Sequence, residues 1–217
     1  RFVRCAWEVL SRSKSRGLRW VPFAKGGSAG RWYSNYPVVV AWDDKRSTFW
    51  GYIGLKHRPT IRPSSVEHYF RPGLTWPLRA ARFAPVPMPE GTIFSIRGYA
   101  IIAPKQDLLA ICAVGQSTVF DYIFKVALGR LEFPEFVVGT LQRLPFPSLS
   151  GKDIKQLSDY ARRGWQFNRR AYSRLEETHF FLLPGLLEDG KMSLSQRRLI
   201  CLNRDAEIEA ELRKVKY

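Results

Sequence analysis

The stretch that most resembles a chemical site is residues 23–42, FAKGGSAGRWYSNYPVVVAW, where a lysine stands beside three glycines. A phosphate-binding P-loop places its lysine and a hydroxyl residue directly after the last glycine, where they reach the phosphates and the metal. Here Lys25 precedes the glycines, and Arg31 follows the last of them. A dinucleotide-binding fingerprint joins a strand to a helix, whereas these glycines lead into a valine run. Both nucleotide-binding interpretations fail. Two alternatives remain: a basic loop that binds a partner, and a solvated hairpin loop.

Acidic side chains supply the second candidate for chemistry, Asp43 and Asp44, which follow the valine run and precede Lys45. A metal-dependent nuclease needs one acid followed by an acid-x-Lys triplet at the end of a strand. The spacing here differs, so we favour a turn and keep a nuclease that uses Asp43 and Asp44 as an alternative. The chain has no GxSxG elbow, no HExxH helix and no Asn/Asp-Pro-Pro-aromatic tetrapeptide. We therefore predict no catalytic residue in it.

Cysteine and histidine give no sign of a metal site. Cys5, Cys112 and Cys201 lie far apart without a CxxC pair, and the histidines are not spaced as ligands beside them. An odd number of distant cysteines is a poor disulfide framework, so we expect reduced thiols. With no signal-peptide pattern and no long apolar run, we expect a cytoplasmic protein that binds no membrane.

Positive charge is the strongest global feature, with 35 Lys and Arg against 19 Asp and Glu, a formal net charge of +16. Residues 1–82 carry 16 basic and 4 acidic side chains, and residues 83–217 carry 19 and 15. Such a concentrated field attracts polyanions. The basic residues alternate with Trp, Tyr and Pro in irregular segments, unlike a membrane-surface helix. This favours nucleic acid as the partner, and a basic domain without a nucleic-acid role stays the alternative.

Apolar patterning predicts an α+β fold, with a mixed or antiparallel sheet and packed helices in residues 1–147 and a helical region in residues 148–217. The valine run predicts a strand buried on both faces, and strands and turns are expected up to residue 104. A helical stretch interrupted at Gly115 follows, and then a short final strand in VVGTLQRLPFP. Helices are predicted over 152–178 and 194–217, with Ser193 or Ser195 capping the second.

Several basic and aromatic residues are candidates for nucleic-acid contact. Arginine can read guanine in the major groove, and the turn in YFRPGLTW is expected to project Arg71 and Thr75. Trp32 and Tyr33 are expected to anchor the glycine loop to the sheet. The arginines of residues 162–174 fit either a clamp on a DNA backbone or an ordinary solvated helix face.

Six motifs occur in an order that resembles one family: KGG…RWY, VVVAW, HYFRPGLTW, ARFAPVPMPEGTIFSIRG, LLAICAVGQSTVFDYIF and VGTLQRLPFP. The order resembles the region after the catalytic domain in large adenine-specific DNA methyltransferases. These include the type IIG restriction-modification enzymes and the BREX phage-defence methyltransferase. One departure is AVGQS in place of the family's LLNS before the FDY motif.

The resemblance implies a target recognition domain that belongs to a longer polypeptide. An upstream methyltransferase domain would bind S-adenosylmethionine and methylate a flipped adenine, and this segment, without a cofactor of its own, would choose the sequence in double-stranded DNA. A stand-alone RNA-binding or structural module is the rival. The implied DNA contacts are Lys25, Arg31, Trp32, Arg71, Thr75, Arg79 and Arg82.

Overall fold

The structure is a computed structural model that describes residues 3–9, 19–26, 32–42, 65–95, 98–176, 178, 181, 183–188 and 190–214. Within these residues, seven strands form a four-stranded and a three-stranded sheet, and five α-helices come after them in the chain. The predicted α+β fold with C-terminal helices is confirmed. Residues 27–31 of the glycine loop lie outside the described residues, and so do Asp43 and Asp44.

The first sheet is built around the valine run. Its strands, in the order β1-β3-β2-β6, are β1 (Val3–Cys5), β3 (Val38–Trp42), β2 (Arg19–Ala24) and β6 (Ile93–Phe94). Strand β3 pairs antiparallel with β1 and β2, and β6 joins β2 in parallel. The successive residues Val40 and Ala41 are both buried. Because neighbouring side chains on a strand point to opposite faces, this confirms a strand covered on both sides.

The second sheet has the order β5-β4-β7, with β5 (Val86–Met88), β4 (Gly73–Pro77) and β7 (Gly98–Ile101) in antiparallel pairing. Its central strand, β4, is buried from Gly73 to Trp76. The indole nitrogen of Trp76 donates a 2.8 Å hydrogen bond to the Phe136 carbonyl oxygen. This bond ties the sheet to the chain beyond the first two helices.

Helices α1 (Leu108–Gln116) and α2 (Thr118–Leu128) meet at an angle of 71°. The Ser117 hydroxyl accepts a 3.1 Å hydrogen bond from the Phe120 amide and so caps α2. The interruption predicted at Gly115 therefore lies at Ser117. Gly115 itself is buried in α1, where a Cβ would lie 2.5 Å from Pro85 Cγ, so its role is close packing and not a break.

The prediction of a final strand in VVGTLQRLPFP is wrong, because the structure has helix α3 (Val138–Leu141) there. The Leu141 amide bonds to the Val137 carbonyl oxygen at 3.2 Å, which closes the helical turn. Val138, Leu141 and Leu144 pack against the aromatic cluster around Phe124 and Phe136. Packing of this one face outweighs the β preference of the paired valines.

Two long helices complete the chain, α4 (Gly151–Tyr172) and α5 (Leu194–Lys214). In α4 the Ser150 hydroxyl accepts from the Asp153 amide at 3.2 Å, while the Asp153 carboxylate accepts from the Ser150 amide at 2.9 Å. This reciprocal pair is a capping box. The predicted cap of α5 is confirmed at Ser193, whose hydroxyl accepts from the Gln196 amide at 3.4 Å.

The segment after the glycine loop docks on helix α4, and the prediction that it anchors to the first sheet is wrong. A Cβ on Gly164 would come within 2.6 Å of the Trp32 ring, so the bare helix surface accepts the indole. Tyr33 lies against Tyr172 and Trp165, with ring centroids 5.1 Å and 6.2 Å away. One cluster of buried residues then joins the loop, β4, α1 and α4: Trp32, Leu74, Leu108, Cys112, Ala113 and Ala161.

Candidate nucleic-acid interface

Lys25 and Arg71 are the two predicted contacts with exposed side chains and no ion pair among the described residues. Lys25 follows β2, where the Ser95 amide bonds to the Ala24 carbonyl oxygen at 3.1 Å. Arg71 follows Phe70, which exchanges 3.0 Å backbone bonds with Gly91 and Thr92. Residues 91–95 span roughly 13 Å at strand spacing. The two cations thus flank opposite ends of the short strand β6. Their separation is a distance that a few successive phosphates of one DNA strand would cover.

The other two described arginines of the predicted set are already engaged. The Arg79 Nε donates to Glu135 Oε1 at 2.6 Å, and its Nη2 forms an ion pair with the same oxygen. Arg82 Nη2 donates a 2.6 Å bond to the Gln116 carbonyl oxygen at the end of α1. A guanidinium at a helix C-terminus stabilises its exposed carbonyl groups and its dipole. The Arg82 side chain therefore holds the corner between α1 and α2.

Trp32 and Thr75 are buried, with 7% and 4% of their surface exposed. Trp32 belongs to the cluster on α4, and Thr75 lies on the central strand β4. Direct contact of either side chain with a base would require the core to open. Arg31, between the glycines and Trp32, lies outside the described residues.

The exposed side of α4 carries cations that sequence reasoning did not select. It predicted only the arginines of residues 162–174, whereas Lys152 and Lys155 also lie on exposed positions of this helix. Together with Arg163 they line a shallow depression of about 490 Å³, whose other walls are Gln156, Asp159 and Tyr160. The signal that could have found them is the 3.6-residue period of the predicted helix over 152–178, which places positions 152, 155, 163 and 170 on one side.

The arginines of α4 differ in how far they are neutralised. Arg162 forms a 2.6 Å ion pair with Asp159, and Arg163 lies 3.5 Å from Glu211 of α5. The guanidinium of Arg169 lies 5.2 Å from the centre of the Trp165 ring. Arg170 is exposed and has no ion pair within the described part of the chain. Arg174, beyond the helix, pairs with Glu188 and Asp205, so it joins α4 to the following segments.

Burial suppresses ionisation at three groups in the core. It raises the pKa of the Tyr33 and Tyr36 hydroxyls well above their ordinary range, although the charge of Arg169 lowers the pKa of Tyr33 in part. Burial also raises the pKa of the Cys112 thiol to about 12. A thiol that stays protonated is neither a nucleophile nor a ready metal ligand. Tyr33 and Cys112 are thus packing groups in the core that supports the basic surface.

Within the described residues, no three His, Cys, Asp or Glu side chains are grouped so as to hold a metal ion. No single helix there is long and apolar enough to cross a bilayer, although α1 and α2 together pass that test as a bent pair. The sequence matches no protein-family model and no curated protein. Fold and surface define the class: a basic α+β protein with exposed cations beside β6 and along α4.

Proposed function

We propose that this chain recognises a sequence in double-stranded DNA on behalf of an S-adenosylmethionine-dependent adenine methyltransferase domain. The observation that carries the proposal is the pair of exposed cations Lys25 and Arg71, which lie in the third of the chain with 16 basic and 4 acidic residues. Among the described residues neither has an ion-pair partner. Their charges are therefore available for phosphate oxygens or base edges.

The six motifs in family order support the link to adenine methylation. In that arrangement this chain supplies DNA contacts and the catalytic domain supplies the cofactor site. The buried aromatic residues agree with a supporting role in the fold: Trp32, Tyr33 and Trp76 are all less than 10% exposed. In proteins that share a scaffold and differ in target, such residues hold the loops, and the variable exposed residues select the sequence.

The test measures binding of the 217-residue chain to a fluorescein-labelled 30-base-pair duplex by anisotropy, with single-stranded RNA as the competing ligand. We expect the duplex affinity to fall steeply with salt, and Lys25→Ala to reduce the logarithmic salt slope by about 0.9. Arg71→Ala should cost about 1–3 kcal/mol if this arginine reads a base. Arg130→Ala, which removes an exposed cation outside the predicted contacts, is the charge control.

Three outcomes would contradict the proposal. Absence of duplex binding at low salt would remove DNA as the partner. Tighter binding to single-stranded RNA would favour an RNA-binding module. Full affinity in both Lys25→Ala and Arg71→Ala would exclude these two residues from the interface and leave the proposal without its supporting observation.

A further inference from the structure

The exposed face of α4 has the pattern of a linear phosphate-binding surface. Successive residues of a helix are about 100° apart around its axis, so positions 152, 156, 159, 163, 166 and 170 lie within about 40° of one direction. All six positions are exposed, and three of them are cations: Lys152, Arg163 and Arg170. Lys155 lies next to this line. The face extends over roughly 27 Å from residue 152 to residue 170.

The opposite face of α4 is occupied by the protein core. Ser158, Ala161 and Gly164 are buried, and Gly164 is covered by Trp32. The helix is therefore fixed in place, and only its basic side meets solvent. A helix that binds in a lipid surface does so through its apolar face, and in α4 that face is already covered by the core.

Charge pairing on α4 leaves a net positive surface. The helix has six basic and two acidic residues. Asp153 is bonded to Ser150 in the cap, and Asp159 pairs with Arg162. Lys152, Lys155 and Arg170 have no ion pair among the described residues. A helix stabilised by ion pairs between its own side chains carries an acid four residues before a base. None of these three cations has an acid at that position.

We infer that the exposed face of α4 binds the phosphate backbone of double-stranded DNA, independently of sequence, through Lys152, Lys155 and Arg170. Gln156, Tyr160 and Gln166 lie beside these cations and supply hydrogen-bond donors for phosphate oxygens. The inference rests on the proposed function, because the duplex held by α4 is the one whose sequence the Lys25 and Arg71 side of the molecule reads.

The contact of Trp32 with Gly164 connects the two sites. The chain passes from Lys25 through the glycines to Trp32, and Trp32 packs on the middle of α4. Only six residues separate Lys25 from Trp32. At an extended rise of about 3.3–3.6 Å per residue, this segment spans at most about 25 Å. Trp32 lies on the face of α4 opposite the cations, so the helix diameter of about 10 Å adds to this distance. A 30-base-pair duplex, about 100 Å long at 3.4 Å per base pair, is longer than the sum.

The test compares salt slopes of duplex binding for two triple variants of the full chain that remove equal charge. The α4 variant is Lys152→Gln/Lys155→Gln/Arg170→Gln, and the control is Lys105→Gln/Arg130→Gln/Arg143→Gln, which changes exposed residues outside α4. With about 0.9 of slope per phosphate contact, the α4 variant should lose about 2.7. Between 50 and 200 mM salt, the wild-type affinity should then fall about 40-fold more than that of the α4 variant.

A gain-of-function variant protects the test against loss of folding. Asp159→Asn removes the carboxylate in the middle of the face and should tighten duplex binding several-fold. Glu132→Gln, an exposed control in the loop after α2, should not. Circular dichroism confirms the helix content of each variant.

The outcomes separate this inference from the proposed function. If the wild-type chain binds duplex and the α4 variant keeps the slope of the control, the α4 inference is overturned and the proposed function stands. If the wild-type chain binds no duplex, both fall. Vesicles with anionic lipid are the competing polyanion: loss of vesicle binding with an unchanged duplex slope would assign α4 to a membrane and overturn the inference.

Discussion

Replacing Gly164 with alanine tests whether the Trp32 segment and α4 form one core. The added methyl group would lie 2.6–2.8 Å from three atoms of the Trp32 ring, whereas carbon atoms in contact are normally about 3.5–4.0 Å apart. Such overpacking costs about 1–3 kcal/mol, and the better helix propensity of alanine returns about 0.5–1 kcal/mol. The midpoints of these ranges leave a net loss of about 1 kcal/mol, or about 2–4 °C in Tm for a chain of this size.

The assay is urea unfolding followed by circular dichroism, with Gly151→Ala as the matched control. Gly151 begins the same helix, and a Cβ there meets no atom within 4 Å, so this variant should keep or slightly raise stability. In a Trp32→Leu background, Gly164→Ala should lose most of its cost, because neighbouring residues couple by about 0.5–3 kcal/mol. An unchanged or higher stability of Gly164→Ala alone would refute the docking of Trp32 on α4.

Two further predictions test the support of the basic helix and the state of the core. Ser150→Ala should lower the free energy of unfolding by about 1 kcal/mol through loss of the α4 cap, whereas the exposed Ser148→Ala should not. The hydrogen bonds from Ser150 lower the pKa of Asp153, so the cap is intact at neutral pH and weakens as pH falls through that lowered pKa; an acid titration in which wild type and Ser150→Ala lose stability in parallel would contradict this. Cys112, whose thiol pKa burial raises to about 12, should react with a thiol reagent at pH 8 only after unfolding, while the partly exposed Cys5 and Cys201 react in the native state; three equally fast thiols would show that the core is open.

Local sequence patterns predicted the parts of the fold that depend on local physics. The valine run forms a strand because β-branched residues prefer the pleated, half-buried surface of a sheet. Ser193 caps a helix through a hydrogen bond to Gln196, only three residues away. The α3 region shows the limit. Its paired valines favour a strand, but packing against a cluster that includes Trp76, Phe83 and Phe124, which are remote in sequence, selects a helix.

Long-range contacts also decide which candidate residues are available to a partner. Arg71 and Arg82 are the same residue type in neighbouring segments, yet Arg71 is exposed and Arg82 is bonded to the end of α1. Nothing in the spacing of the arginines distinguishes them. The docking of Trp32 on Gly164 was equally hard to predict from sequence. It depends on a glycine, which has no side chain, in a helix far along the chain.

Selection from a pool of randomised 30-base-pair duplexes tests the central claim, sequence-specific DNA recognition, most directly. The full chain is incubated with the pool at near-physiological salt, and the bound duplexes are amplified and sequenced over several rounds. The account predicts enrichment of one short motif by wild type, with relaxed preference at one position of that motif in Arg71→Ala. Strong salt-dependent binding without any enriched motif would contradict sequence recognition and leave only a basic surface that binds DNA of any sequence.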